Sequence, residues 1–157
     1  VLMTKVILAV DPGKATGVAL FEFTLGEEPI LKWAGEYQQH EVGKPIRQAI
    51  DHAYQNGTTL DVTCERFIIN AQTVRNSQAP FSLEVIGALK QLLIDAEEDI
   101  SRISFQSPSD AKAMFDNPKL KKLEYWHKGG EGHALDAIRH GLLRCVKLGW
   151  KPTRLLQ

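Results

Sequence analysis

Residues 6–21 read VILAVDPGKATGVALF. The run from Val6 to Val10 is apolar without a break, the pattern of a strand covered on both faces. Asp11-Pro12-Gly13 interrupts it, because proline offers no amide to a ladder and this trio favours a turn. Gly17-Val18-Ala19-Leu20-Phe21-Glu22-Phe23 then resumes as a second strand. The pair reads as a hairpin whose first strand ends in an acid.

Working outward, Gly26-Glu27-Glu28-Pro29 turns the chain again, and Leu31 to Tyr37 is a third strand. Ile46, Ala49, Ile50 and Ala53 fall at helical spacing between Pro45 and Gln55, and Asn56-Gly57 stops that helix. Leu60 to Phe67 is a fourth strand, and the polar Asn70 to Ala79 stretch reads as a loop. Ser82 to Ala96 forms a helix, with Ser82 as its cap and apolar residues over a broad face. Arg102 to Gln106 is a short fifth strand. Ser107 opens a helix through Phe115 that Asn117-Pro118 ends. Gly129, Gly130 and Gly132 lead into a last helix that runs until Gly149. Three antiparallel strands followed by alternating helices and strands predict an α/β architecture, a mixed five-stranded sheet flanked by helices. That is the layout of the ribonuclease-H-like fold. At 157 residues, one domain over 1–157 is expected.

Composition narrows the class. The chain is 43% hydrophobic and 24% charged, ordinary values for a soluble globular protein. No run approaches a membrane span, and Val6 to Val10 is too short for a signal peptide's hydrophobic segment. A cytoplasmic location is expected, the host cytoplasm if the chain is phage-encoded. Cys64 and Cys145 match neither a zinc nor a redox spacing and read as buried thiols. Net charge is zero, but its distribution is uneven. From Lys119 onward there are nine Lys and Arg against three Asp and Glu, while the rest holds ten against sixteen. A basic last quarter suits phosphates.

Asp11 ends the first strand and Glu65 lies near the end of the fourth. If those strands are neighbours, both acids sit at one sheet edge. On the last helix, taken at about 100° per residue, Leu135, Ile138, Leu142, Cys145 and Val146 form an apolar stripe. His133, Asp136 and His140 share another face. Ala134, Ala137 and Gly141 form a small-residue stripe that lets the helix approach the sheet and carry His133 and Asp136 over the strand tips. His140, further along, is expected at the surface or in a supporting role. The carboxylate oxygens of such a set suit Mg²⁺. Two ions roughly 3.5–4 Å apart activate a water and stabilise the leaving oxygen in phosphodiester cleavage. The plain alternatives are a turn-forming Asp11, a surface Glu65 paired with Arg66, and a solvated polar helix face.

These segments carry a family resemblance. VILAVDPGKATGVALF (6–21), Thr63-Cys64-Glu65-Arg66-Phe67 and GHALDAIRHGL (132–142) resemble the RuvC family of Holliday junction resolvases, in order and over nearly the whole chain. The resemblance implies a single RuvC-like nuclease domain with Asp11, Glu65, His133 and Asp136 as catalytic and metal-binding residues. It also implies two Mg²⁺ or Mn²⁺ ions per site, cleavage of four-way DNA junctions, and a homodimer whose interface includes helix 82–96. His133 stands where other members carry Asp, and the softer imidazole favours Mn²⁺ as much as Mg²⁺. It is also a candidate proton relay.

For DNA contacts, Lys119, Lys121, Lys122 and Lys128 interleave with Tyr125 and Trp126 just before the last helix. The lysines suit phosphates, and Trp126 or Tyr125 suits stacking on an unpaired base, unless the aromatics belong to the core. Phe67 is a candidate wedge at a branch point, with strand packing as its alternative, and Arg75 is a further phosphate contact. Two readings compete with a junction endonuclease: a YqgF-like nuclease of the same fold acting on RNA, and a catalytically silent branched-DNA-binding protein. An actin-like ATPase fragment shares the strand-Asp-x-Gly start, but no Walker-type phosphate loop is present.

Overall fold

The first strand, β1 (Thr4–Asp11), lies at the centre of the sheet, as its unbroken apolar run requires. β2 (Ala15–Thr24) and β3 (Ile30–Gln38) follow antiparallel, while β4 (Thr59–Glu65) pairs parallel with β1 and β5 (Ser104–Gln106) parallel with β4. The resulting order is β3-β2-β1-β4-β5. In this computed structural model residues 3–75, 79–130 and 132–157 are described.

Alternation along the strands sends side chains to two helical layers. Ile7, Ala9, Ala19 and Phe21 face the last helix, α6 (His133–Lys147), and share its core with Phe115, Leu120, Tyr125 and Trp150. Val6, Leu8, Val10, Val18 and Leu20 face α1 (Gly43–Gln55) and α3 (Ala79–Asp95). Cys64 and Cys145 are buried free thiols.

Two glycines set how closely α6 approaches the sheet. A Cβ on Gly17 of β2 would lie 1.9 Å from the His133 carbonyl oxygen, and one on Gly141 would lie 2.4 Å from the Phe21 ring. Ala134 and Ala137 are fully buried on the same side, so the small-residue stripe lies against the strands as its spacing suggests.

Several boundaries differ from expectation. The fourth strand ends at Glu65, not Phe67. Ser82 is no cap: its helix begins at Ala79, and its buried hydroxyl donates to the Pro12 carbonyl, 3.1 Å away. A five-residue helix, α2 (Ala71–Arg75), occupies part of the expected polar loop, whose residues 76–78 lie outside the described set. α4 (Pro108–Met114) is followed by a helix the sequence reading missed, α5 (Asn117–Lys122). Asn117-Pro118 starts that helix instead of only ending the one before. The Asp116 side chain accepts the Lys119 N–H, and proline near a helix start sacrifices no ladder bond. On α6, the alternative of a solvated polar face does not hold at His140, which is buried, as is Arg139.

Candidate metal centre

Strand pairing explains why the two acids meet. Val10 pairs with Cys64, so Asp11 and Glu65 are the next residues at the same end of adjacent parallel strands. Asp11 shares its sheet face with Ile7 and Ala9, the face toward α6. The first turn of α6 lies over that edge. Potential ligand atoms of Asp11, His133 and Asp136 all lie within 4.8 Å of one another. Glu65 joins Asp11, His133 and Asp136 in lining a cleft of about 670 Å³, which Phe67, Lys14 and Lys112 also border.

Each member is held by the fold. Asp11 is 5% exposed, and the turn after it is fixed by Ser82 and by reciprocal hydrogen bonds between Gly13 and Thr16. The start of α6 has Gly132 at its cap position and no capping side chain of its own. Glu36 of β3 reaches across instead, accepting the His133 backbone N–H at 2.7 Å. Asp136 Oδ1 accepts from Arg139 Nη1 at 2.7 Å. Arg139 is anchored in turn by the Phe115 carbonyl and the Asn117 side chain. Glu65 Oε1 faces His140 Nε2 at 3.1 Å.

The electrostatics are those of crowded acids short of positive charge. Burial pushes the Asp11 carboxyl up to about 8; the contact with His133 opposes this, and Glu65 and Asp136 reinforce it. His133 Nδ1 lies 3.6 Å from Asp11 Oδ2, and that contact raises the imidazole to about 9 against its own burial. Burial also works to raise Glu65, but hydrogen bonding to His140 and Asp11 outweighs it and holds Glu65 low. In the absence of a cation, the Asp11–His133 pair thus holds on to a proton while Glu65 stays a carboxylate. This donor set, carboxylate oxygens plus one imidazole nitrogen around a buried acid, fits a divalent cation that would replace that proton.

The candidate DNA contacts divide. Phe67 is half-buried at the cleft, so it is not packed within a strand. Arg75 is exposed on α2. Lys119, Lys121, Lys122, Trp126 and Lys128 do not border the cleft. Lys121 and Lys128 are exposed, Lys119 is half-buried, and the Lys122 ammonium donates to the Gln157 carbonyl. Trp126 packs partly against the core, with Lys121 Nζ 4.4 Å from its ring centroid. Tyr125 is buried and donates its hydroxyl proton to the Pro29 carbonyl, so it offers no face to a base. Two cleft lysines escaped the sequence reading. Lys14 directly follows the Asp-Pro-Gly motif and was there to be found; Lys112 has no local signal, because only the docking of α4 brings it to the cleft.

No protein-family model and no curated protein matches the chain. Solved structures do. A Thermus thermophilus RuvC in complex with a Holliday junction substrate aligns over 94% of this chain and 96% of its own, with 13% identity and a TM-score of 0.64. A second Thermus thermophilus RuvC structure aligns over 92% and 96%, with 15% identity and a TM-score of 0.63. The chain has the fold of these proteins, the ribonuclease-H-like fold that the strand order predicted.

Proposed function

We propose that this chain is a RuvC-like, structure-selective endonuclease. Its substrates are four-way DNA junctions and other branched DNA, and residues 1–157 act as one nuclease domain. The observation that carries this reading is the convergence of Asp11, His133 and Asp136, with Glu65 beside them, at one edge of a sheet with the RuvC fold.

Asp11, Glu65, His133 and Asp136 would hold Mg²⁺ or Mn²⁺, two ions per site. Bound there, the ions supply Lewis acidity for in-line hydrolysis of a phosphodiester by water. The chain's own residues do the rest. Asp11 and His133 would offer their deprotonated forms to the cation, and if His133 stands outside the coordination sphere its imidazole, at the cleft wall, is the base placed to accept a proton from the attacking water. Lys14 and Lys112 bring positive charge to the cleft rim, where a phosphate backbone enters. Phe67 presents a ring at the same rim to an unstacked base. Lys121 and Lys128 extend the basic surface beyond the cleft.

A homodimer follows from symmetry. Paired nicks in a junction need two sites related by a two-fold axis. The buried side of α3 is Val85, Leu89 and Leu93, whereas Leu83 and Ile94 stand about half exposed on another side, which suits a partner. Among the described residues no helix is long and apolar enough to cross a membrane. We place the enzyme in the cytoplasm, or in the host's if phage-borne.

The test is a cleavage panel: an end-labelled four-way DNA junction, a linear duplex of the same sequence and a single-stranded RNA, each with Mg²⁺, Mn²⁺ or chelator. Metal-dependent nicks near the branch point, with the linear duplex intact, are expected. RNA cleavage with the junction intact would favour the RNA nuclease reading. Tight junction binding without nicking under any ion would favour a silent binding protein.

A further inference from the structure

Glu65 and Gln106 are register partners on the parallel strands β4 and β5, so their side chains leave the same face of the sheet. α6 crosses that face, and His140, one turn beyond Asp136, lies between them. Both Gln106 and His140 are sealed from solvent, at 2% and 1% exposure. The Gln106 amide nitrogen lies 3.0 Å from the His140 carbonyl oxygen and 3.1 Å from His140 Nδ1, and His140 Nε2 lies 3.1 Å from Glu65 Oε1.

Donor and acceptor chemistry fixes the direction of this chain of contacts. A backbone carbonyl only accepts, so the Gln106 nitrogen, not its oxygen, must face it. The second proton of that nitrogen is then aimed at Nδ1, which must receive it with a lone pair. With Nδ1 accepting, the ring proton sits on Nε2 and is donated to Glu65. The reverse amide orientation would set oxygen against oxygen at the His140 carbonyl. The orientation adopted leaves Gln106 Oε1 buried without a partner among the described residues, a cost offset by the two contacts of the amide nitrogen.

We propose that Gln106 and His140 act as a buried positioning relay for the Glu65 carboxylate. Gln106 locks His140 as the Nε2–H tautomer, His140 holds Oε1, and the rest of the carboxylate is kept turned to the cleft to meet a cation. The proposal rests on the reading of Glu65 as a cation ligand. It assigns the site two histidines with separate tasks, since half-exposed His133 faces Asp11 whereas His140 never reaches the cleft. Groups that orient a metal ligand from behind commonly matter about 10–100-fold for affinity or activity.

Two measurements on the full chain test it. The first is the long-range ¹⁵N–¹H spectrum of the histidine rings in the metal-free protein, with His140 assigned by its loss in His140→Gln. Nε2 is expected protonated and Nδ1 unprotonated, and the preference should weaken in Gln106→Leu. A proton on Nδ1 overturns the relay, whether or not the protein proves to be a nuclease. The second is a Mn²⁺ titration of folded variants, checked by circular dichroism. His140→Leu should bind Mn²⁺ about 10–100-fold more weakly, and His140→Gln, whose amide nitrogen can stand in for Nε2, should recover most of that loss. Wild-type affinity in His140→Leu, or an equal loss in the Gln and Leu variants, overturns the proposal. If His140→Leu does not fold, Gln106→Leu takes its place in the titration, with weakened binding expected and unchanged binding contradicting. Failure of the wild type to bind Mn²⁺ or nick a junction would remove the nuclease reading, and the tautomer measurement would still decide the relay.

Discussion

The backbone N–H of His133 donates to the side chain of Glu36, a residue 97 positions earlier in the chain, at 2.7 Å. A strand thus supplies the cap that α6 lacks, and it does so at the residue that carries a candidate ligand. The carboxylate also faces the positive end of the helix dipole.

Removing that cap should loosen the helix start more than it weakens the whole fold. Glu36→Ala is expected to cost about 0.5–2 kcal/mol, the usual range for a lost N-cap. It should lower junction nicking by more than the stability loss explains. Glu36→Gln keeps an acceptor oxygen and should retain most of both. Denaturant melts paired with single-turnover nicking check this, and equal behaviour of the Ala and Gln variants would contradict it.

Asp11→Asn should separate stability from activity. The folded-state pKa of Asp11 is raised from 3.8 to about 8. The sign follows directly: above pH 4 the unfolded chain ionises this group freely while the folded chain resists, so the folded state loses stability as pH rises from about 4 to about 8. At neutral pH the metal-free Asn variant escapes that penalty. Its Tm should exceed that of wild type by about 2–4 °C per kcal/mol recovered at this chain size. It should bind junctions and not nick them. A lower Tm, or wild-type nicking, would count against the account.

Cation affinity should rise with pH. His133 is raised to about 9 and Asp11 to about 8, so the pair holds a proton at neutral pH that a cation must displace. A Mn²⁺ titration followed by calorimetry should show proton release on binding and tightening between about pH 6 and 9. An affinity flat across that window would mean that these two groups do not hold the ion.

Gly17→Ala should act at a distance from the chemistry. Its Cβ would meet the His133 carbonyl oxygen at 1.9 Å, a side-chain carbon against backbone, so the helix start must lift off the sheet. Overpacking of this kind typically costs about 1–3 kcal/mol, and Mn²⁺ affinity should fall with it. Unchanged binding and stability would show that α6 sits further from β2 than described.

Much of this was legible in the sequence, because strand one is an unbroken apolar run and the last helix carries its small residues at a fixed spacing. Those two patterns placed Asp11 and the His133–Asp136 pair over one sheet edge. What stayed hidden has physical reasons. The helices α2 and α5 are too short for a periodicity, and Pro118 follows one helix while opening another. Arg139 is buried because it finds acceptors at Phe115, Asn117 and Asp136, which a helical wheel cannot show together. His140 meets Glu65 across 75 positions, and Glu36 meets His133 across 97; contacts of that range arise from tertiary packing alone. Lys14 and Lys112 border the cleft through the turn after β1 and the docking of α4, whereas the lysines around Trp126 lie away from it.

The central claim is that the tip of β1 and the first turn of α6 together cage a cation. Anomalous diffraction from a crystal soaked in Mn²⁺ tests it most directly. The account predicts a peak within coordination distance of Asp11, with His133 and Asp136 as further ligands and Glu65 beside them. A peak elsewhere on the molecule, or none at a concentration that supports nicking, would contradict it.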